Sequence, residues 1–140
     1  PGEALPRNVC PSIIAGLPGL RIENVRMENI EIVYPGHADP EYAYAGTSKE
    51  ELDAIEEQET RYPEFSNWKE LPAWGFYIRH ADGIVFDNVK LTVDGEDYRP
   101  AIVTDDVNGL RMKNLQINQE TAPKGKKQII TKDTKNIKKK

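Results

Sequence analysis

A short phrase recurs three times in this chain, and its recurrence limits the fold more than any other feature. One copy reads Gly83-Ile84-Val85-Phe86-Asp87-Asn88-Val89-Lys90-Leu91-Thr92-Val93. Apolar side chains stand at Ile84, Phe86, Val89, Leu91 and Val93, in two runs of period-2 alternation broken once at Asn88. Period 2 marks a strand, because successive side chains leave a pleated backbone on opposite faces. The break at Asn88 predicts a corner, since Asn tolerates left-handed backbone angles and can hydrogen-bond its own turn. Upstream, Gly19-Leu20-Arg21-Ile22-Glu23-Asn24-Val25-Arg26-Met27 has the same grammar. Downstream, Gly109-Leu110-Arg111-Met112-Lys113-Asn114-Leu115-Gln116-Ile117 repeats it.

Gly109 follows Gly83 by 26 (109 − 83), and Gly83 follows Gly19 by 64 (83 − 19), one such repeat plus a long insertion. Each copy follows a short strand-like run: Ser12 to Ala15, Phe76 to Arg79, Ala101 to Thr104. A repeat of roughly 20–30 residues built from short strands and sharp corners fits one coil of a parallel β-helix. Leucine-rich repeats compete, but their Leu consensus and helical half are absent. The expected fold is therefore all-β, a short parallel β-helix of about three to four coils. Stacked coils would place Asn24, Asn88 and Asn114 in file, where their amides can bond along the stack. The same asparagines also suit ordinary turns.

The coils are expected within residues 1–117, interrupted by an insertion at about 35–72, with a Lys-rich tail at 118–140. In the insertion, Ser48 is a good N-cap, and Glu51 three residues later completes a capping box. Leu52 and Ile55 then give one apolar stripe, predicting a helix to about Glu59. From Arg61 to Gly75 the chain is dense in aromatic residues and proline, as in a structured loop. Ile129, Ile130 and Ile137 allow a weak last strand or cap, and Lys138-Lys139-Lys140 is expected to fray.

The chain has 140 residues, one domain's worth, and 38% are apolar against 30% charged, as in soluble proteins. No run of about 20 apolar residues predicts a membrane span. No charged-then-apolar leader follows Pro1, so no signal peptide is read here, and a start without Met suggests processing or truncation. A single cysteine, Cys10, cannot form an internal disulfide. The net charge of −4 hides a split: 118–140 carries eight Lys against Glu120 and Asp133, while 37–70 carries ten acids. A Lys-rich tail can be a nucleic-acid arm. This one lacks Arg and aromatic residues to stack on bases, so a solvated tail, with no nucleic-acid or membrane partner, is the expectation.

Four residues are candidates for binding a sugar acid. If Phe76 and Ile78 point inward, Tyr77 and Arg79 point outward. Arg forks onto carboxylates, and Tyr or Trp faces stack on sugar rings. Tyr77, Arg79, His80 and Trp74 form the candidate set. Arg79 could equally pair with the acidic insertion, and Trp68 and Trp74 could simply cover the hydrophobic stack. Asp105-Asp106 is read as a corner pair bonding local backbone, because adjacent strand residues face opposite ways and cannot converge on one bond. His37 and His80 have no partners at metal-ligand spacing. Asp94-Gly95-Glu96-Asp97 is read as a turn, not a calcium loop. No metal, cofactor or catalytic residue is therefore expected.

The run Tyr62-Pro63-Glu64 … Leu71-Pro72-Ala73-Trp74-Gly75-Phe76-Tyr77-Ile78-Arg79-His80-Ala81-Asp82-Gly83-Ile84 resembles the late coils of bacterial glycoside hydrolases of family 28, the polygalacturonase-like, pectin-degrading enzymes. Arg99-Pro100-Ala101-Ile102-Val103-Thr104-Asp105-Asp106-Val107 and Ile22-Glu23-Asn24-Val25 resemble them too, so the likeness covers about residues 8–117. It implies a right-handed parallel β-helix, an inverting glycosidase acting on galacturonate-containing polysaccharide, and a parent protein that is secreted or periplasmic. Inversion needs two carboxyl groups roughly 6.5–9.5 Å apart. The family's Asn-Thr-Asp, Gly-His-Gly and Arg-Ile-Lys motifs are absent here, and Asp105-Asp106 lies too late in the chain for the family's acidic pair. The chain thus looks like the C-terminal third of such an enzyme without its active centre. The other reading is a non-catalytic structural or carbohydrate-binding β-helix. In either case the open edge of the first coil is expected to support self-association.

Overall fold

The computed structural model describes residues 11–36, 47–55, 57, 71–95, 97–119 and 127–139. They are mostly β. Five strands, β1 (Ser12–Ala15), β2 (Ile22–Tyr34), β3 (Phe76–Val93), β4 (Ile102–Asn118) and β5 (Ile129–Lys138), pair in one parallel sheet, with one short helix, α1 (Lys49–Asp53). β1 and β2 together line one edge of β3: Ser12 pairs with Phe76, and Ile22 with Ala81. Beyond β3 the repeat is regular. Phe76 pairs with Ile102 and Ile102 with Ile129, offsets of 26 (102 − 76) and 27 (129 − 102).

The long strands bend at residues in the left-handed region, and the bends stand in three files. His80, Asp106 and Asp133 (φ 52°, 58°, 48°) form the first. Asn24, Gly83, Gly109 and Asn136 (φ 57°, 69°, 89°, 55°) form the second, and Asn29, Asn88 and Asn114 (φ 54°, 56°, 51°) the third. Asn, Asp and His are the non-glycine residues most often found at positive φ. Glycine at 83 also makes room: a Cβ there would sit 2.8 Å from the Asn24 side-chain oxygen.

The expected amide file exists, with one member corrected. Asn88 Nδ2 donates to Asn29 Oδ1 and Asn114 Nδ2 to Asn88 Oδ1, each at 2.8 Å. Asn24 lies instead opposite Gly83. The cause is local. His80 alone joins Arg79 to Ala81, whereas the whole stretch Gly16–Arg21 joins the equivalent Ala15 and Ile22. That loop closes on itself through Leu17 and Leu20, and it slides the first copy of the phrase out of phase.

In the tail, the last strand that Ile129, Ile130 and Ile137 allow is present, where a solvated arm was the other expectation. Residues 129–138 form β5, paired with β4 from Ile102 to Arg111. Thr104 and Thr134 hydroxyls bond at 2.8 Å, and Asn136 donates to Asn108 at 2.6 Å. Ile129, Thr134 and Ile137 continue the inward rows of Ile102, Val107 and Leu110.

Two apolar clusters result. The inner one includes Ile78, Ile84, Phe86, Val89, Leu91, Ile102 and Leu110, with Phe76 edge-on to Phe86 at 5.1 Å. The outer one lies on the opposite face of the first strand segments, where Tyr77 and Val103 meet Leu52, Leu71 and Ala73, flanked by Ile13, Ile55 and Ile130. Strands buried on both faces read as continuous apolar runs, which explains Gly75-Phe76-Tyr77-Ile78 and Ala101-Ile102-Val103. The capping box at Ser48 and Glu51 is present, but α1 closes at Ala54, sooner than the sequence suggests. Leu52 supplies the contact, 1% exposed. A buried leucine of this kind contributes about 1.5–3 kcal/mol, enough to hold so short a helix down.

Candidate functional site

Arg79 and His80 meet Asp105 and Asp106 where Glu57 of the insertion reaches the first file of bends, and Trp74 lies elsewhere. Tyr77 and Arg79 do leave the strand away from the inner core, as expected. They do not reach solvent. Tyr77 is 0% and Arg79 6% exposed, because α1 and the residues after it cover that face.

Arg79 holds three groups there. Its NH1 donates to the Ile55 carbonyl at 2.7 Å, its NH2 lies 3.2 Å from Glu57 Oε2, and its Nε faces Asp105 Oδ2 at 3.5 Å. The last pair is an ion pair too long for a good hydrogen bond. His80, at the bend, sits between two carboxylates: Nε2 is 2.7 Å from Glu57 Oε2 and Nδ1 is 2.7 Å from Asp106 Oδ2. A neutral imidazole carries one N–H and one lone pair, so only the doubly protonated ring donates to both.

Asp105 and Asp106 therefore serve as a corner pair, but their carboxylates bond side chains, not local backbone. Asp105 Oδ1 accepts from Lys132 at 3.0 Å. Asp106 Oδ2 accepts from Arg21 NH1 at 2.6 Å, and Arg21 Nε reaches Asp82 at 3.0 Å. Lys132, which sequence reasoning left in a solvated tail, also meets Asp53 at 2.6 Å and Asp133 at 3.1 Å. A chain of ion-pair and hydrogen-bond contacts thus runs from Asp53 through Lys132, Asp105, Arg79, Glu57, His80 and Asp106 to Arg21 and Asp82. It ties β3, β4, β5, the loop before β2 and the insertion together. The sequence did hold a signal: His80, Asp106 and Asp133 each stand three residues before a Gly or Asn bend.

Titration follows these contacts. Burial opposes the Asp106 carboxylate, but hydrogen bonds from His80 and Arg21 hold it below the usual range. Hydrogen bonds from Lys132 and then Lys49 hold Asp53 low as well. Burial works against the Lys132 ammonium, yet its bonds to Asp53, Asp105 and Asp133 raise it above the usual lysine range. Burial pushes the Tyr77 hydroxyl up.

The remaining candidates have structural partners. Trp74 is 1% exposed, packs edge-on against Tyr34 at 5.5 Å and donates Nε1 to Gln119 at 3.0 Å. Asp97 receives Arg99 Nε at 2.9 Å and NH2 at 2.8 Å, a buried fork-to-fork pair. Among the described residues, no group of three His, Cys, Asp or Glu could hold a metal. Cys10, His37, Trp68 and Glu96 lie outside the described residues. An open cleft of about 760 Å³ lies along the far ends of β2, β3 and β4, lined among others by Glu31, Val33, Lys90, Thr92 and Asn118. None of the four sugar-acid candidates lines it.

The arrangement binds charge within the molecule; it does not set two carboxyl groups across an open space. No family model matches the chain, and no curated protein or solved structure matches it.

Proposed function

We propose that this chain is a non-catalytic segment of a right-handed parallel β-helix, the C-terminal part of a polygalacturonase-like protein that handles galacturonate-containing polysaccharide. The observation that carries the β-helix reading is the three files of left-handed bends, which recur in register from rung to rung with Asn, Gly, Asp or His at every one. Bends repeated in register turn each strand into a coil of the same outline, as stacked repeats require. The non-catalytic reading rests on the charged residues. Asp105 is 2% exposed and committed to Lys132 and Arg79, so it has no room for the water that inverting hydrolysis places between two carboxyl groups.

The segment's role is then to extend the coil stack and to offer a polar outer surface beside a sugar groove. Its first rung is the natural junction. Ile14, Ile22, Val25, Ile30 and Ile32 face the core there while only partly buried, and among the described residues no strand pairs with the outer edge of β2. Such an edge pairs with a neighbour, so the isolated chain should self-associate through it. Sedimentation tests this: mass should rise with concentration, and a clean monomer at high concentration would count against it.

Incubation with polygalacturonate tests the main reading. No new reducing ends should appear, while retention on immobilised polygalacturonate should exceed that on a neutral glucan. Turnover would overturn the non-catalytic claim. Equal retention on both polymers would remove the polysaccharide and leave a scaffold.

A further inference from the structure

The contact between Glu57 and the strand pair Arg79–His80 has the form of a bound carboxylate. A single oxygen, Glu57 Oε2, takes both His80 Nε2 at 2.7 Å and Arg79 NH2 at 3.2 Å. The two donors come from β3 and are fixed from behind by β4. Asp106 holds the other nitrogen of His80, and Asp105 faces Arg79 Nε. The acceptor comes from the insertion, and its side chain is 25% exposed against 8% for Arg79 and 11% for His80. Donors built into the sheet and an acceptor brought by a covering segment make a preorganised site with a replaceable occupant.

We propose that Arg79 and His80 form a carboxylate-binding seat that Glu57 fills from within the chain, and that a ligand carboxylate, such as that of a hexuronate residue, takes the seat when Glu57 is withdrawn. Naming hexuronate rests on the polysaccharide reading above; the seat itself does not. Removing Glu57 strips His80 Nε2 and Arg79 Nη2 of their acceptor while Asp106 and Asp105 keep the other nitrogens in place, a costly state that an added carboxylate relieves. Glu57 is then the cover: while it is seated, the Ile55 carbonyl is clamped to Arg79 Nη1, and the seat is closed to another carboxylate.

The experiment compares the full chain with Glu57→Ala, following thermal unfolding in acetate, formate or chloride at equal ionic strength. The midpoint should fall on substitution. Acetate or formate should restore at least half of the loss, saturably, and chloride should not. Glu57→Ala/Arg79→Met should show no carboxylate-specific recovery. If Glu57→Ala does not fold, Glu57→Gln is used, and His80 ring nitrogen shifts should move toward the wild-type values as formate is added. Identical behaviour in acetate and chloride, or unmoved ring shifts, would overturn the seat. Digalacturonate supplies the second arm. Recovery at lower concentration than acetate supports the hexuronate ligand. Recovery with acetate but none with digalacturonate keeps the seat and discards the polysaccharide.

Discussion

The two ends of the sheet are built from different materials. At the first rung, Ile22, Val25, Ile30 and Ile32 present apolar side chains that β3 covers from one side only, and Val33 and Leu20 stand 60% and 71% exposed. At the last rung, β5 mixes Ile129 and Ile137 with Thr131, Thr134 and the lysines at 132, 135 and 138. Lysine along an edge strand discourages a further strand, because pairing would strip water from charge. One end thus invites continuation and the other resists it. The middle, β3 and β4, carries most of the largest fully buried side chains.

One inward row measures the difference. Val25, Ile84, Leu110 and Ile137 stand in file across four paired strands, yet Ile84 is 0% and Leu110 1% exposed while Ile137 is 39%. Truncating a fully buried Ile or Leu removes transfer energy and leaves a cavity, at about 2–5 kcal/mol. Ile84→Ala and Leu110→Ala should each cost that much in urea unfolding. Ile137→Ala should cost under about 1 kcal/mol, since surface changes rarely exceed that. Equal losses along the row would mean that the ends are as well packed as the middle.

Lys132 is the point where the resistant end is tied inward. Its ammonium is the hydrogen-bond donor to Asp105, whose side chain is 3% exposed. Lys132→Met would leave that carboxylate short of a partner, at about 1–3 kcal/mol. Here the contrast can be sharpened with Lys135→Met, which should change stability by less than about 0.5 kcal/mol, as an exposed lysine does. A comparable loss from both would show that β5 is held by general charge and not by this contact.

The same group fixes the sign of the alkaline response. The folded state holds the proton of Lys132 and that of Tyr77 more tightly than the unfolded chain does. Their contribution is complete below about pH 10 and fades as pH rises beyond it. Asp53 and Asp106 act at the other limit: both are held low when folded, so their contribution is present above about pH 4 and is lost on further acidification. Tyr77→Phe should flatten the alkaline limb of a stability profile and leave the acid limb unmoved. A profile unchanged above about pH 10 would remove Tyr77 from the account.

How much of this is visible in the residues depends on where each influence comes from. The offset between Gly83 and Gly109, the period-2 alternation and the Ser48 capping box are local, and reading the chain finds them. The amide ladder was placed one member off because the extra residues at Gly16–Arg21 carry no mark of how many the bend needs. β5 reads only as a weak last strand because Lys132, Lys135 and Lys138 dominate its composition, although Ile129, Thr134 and Ile137 keep the inward rows. Burial of Tyr77 and Arg79 was not legible from their own strand. Among the described residues it is imposed by Leu71 and Ala73 nearby and by Leu52 and Ile55 well upstream.

The amide ladder gives the smallest and most local version of the comparison between end and middle. Asn88 bonds to a neighbour on each side, whereas Asn29 has only Asn88 as a side-chain partner among the ladder bonds. Glycine keeps the positive φ that both positions need, so replacing Asn by Gly removes the amide without straining the bend. Each side-chain hydrogen bond contributes about 0.5–1.5 kcal/mol net. Asn88→Gly should therefore lose about twice what Asn29→Gly loses. In the double variant the losses should fall short of additivity, since both substitutions delete the same Asn88–Asn29 bond. Additive losses would mean that the amides act one by one at their own bends, and the register of the paired strands would then rest on the apolar rows and the backbone pairing.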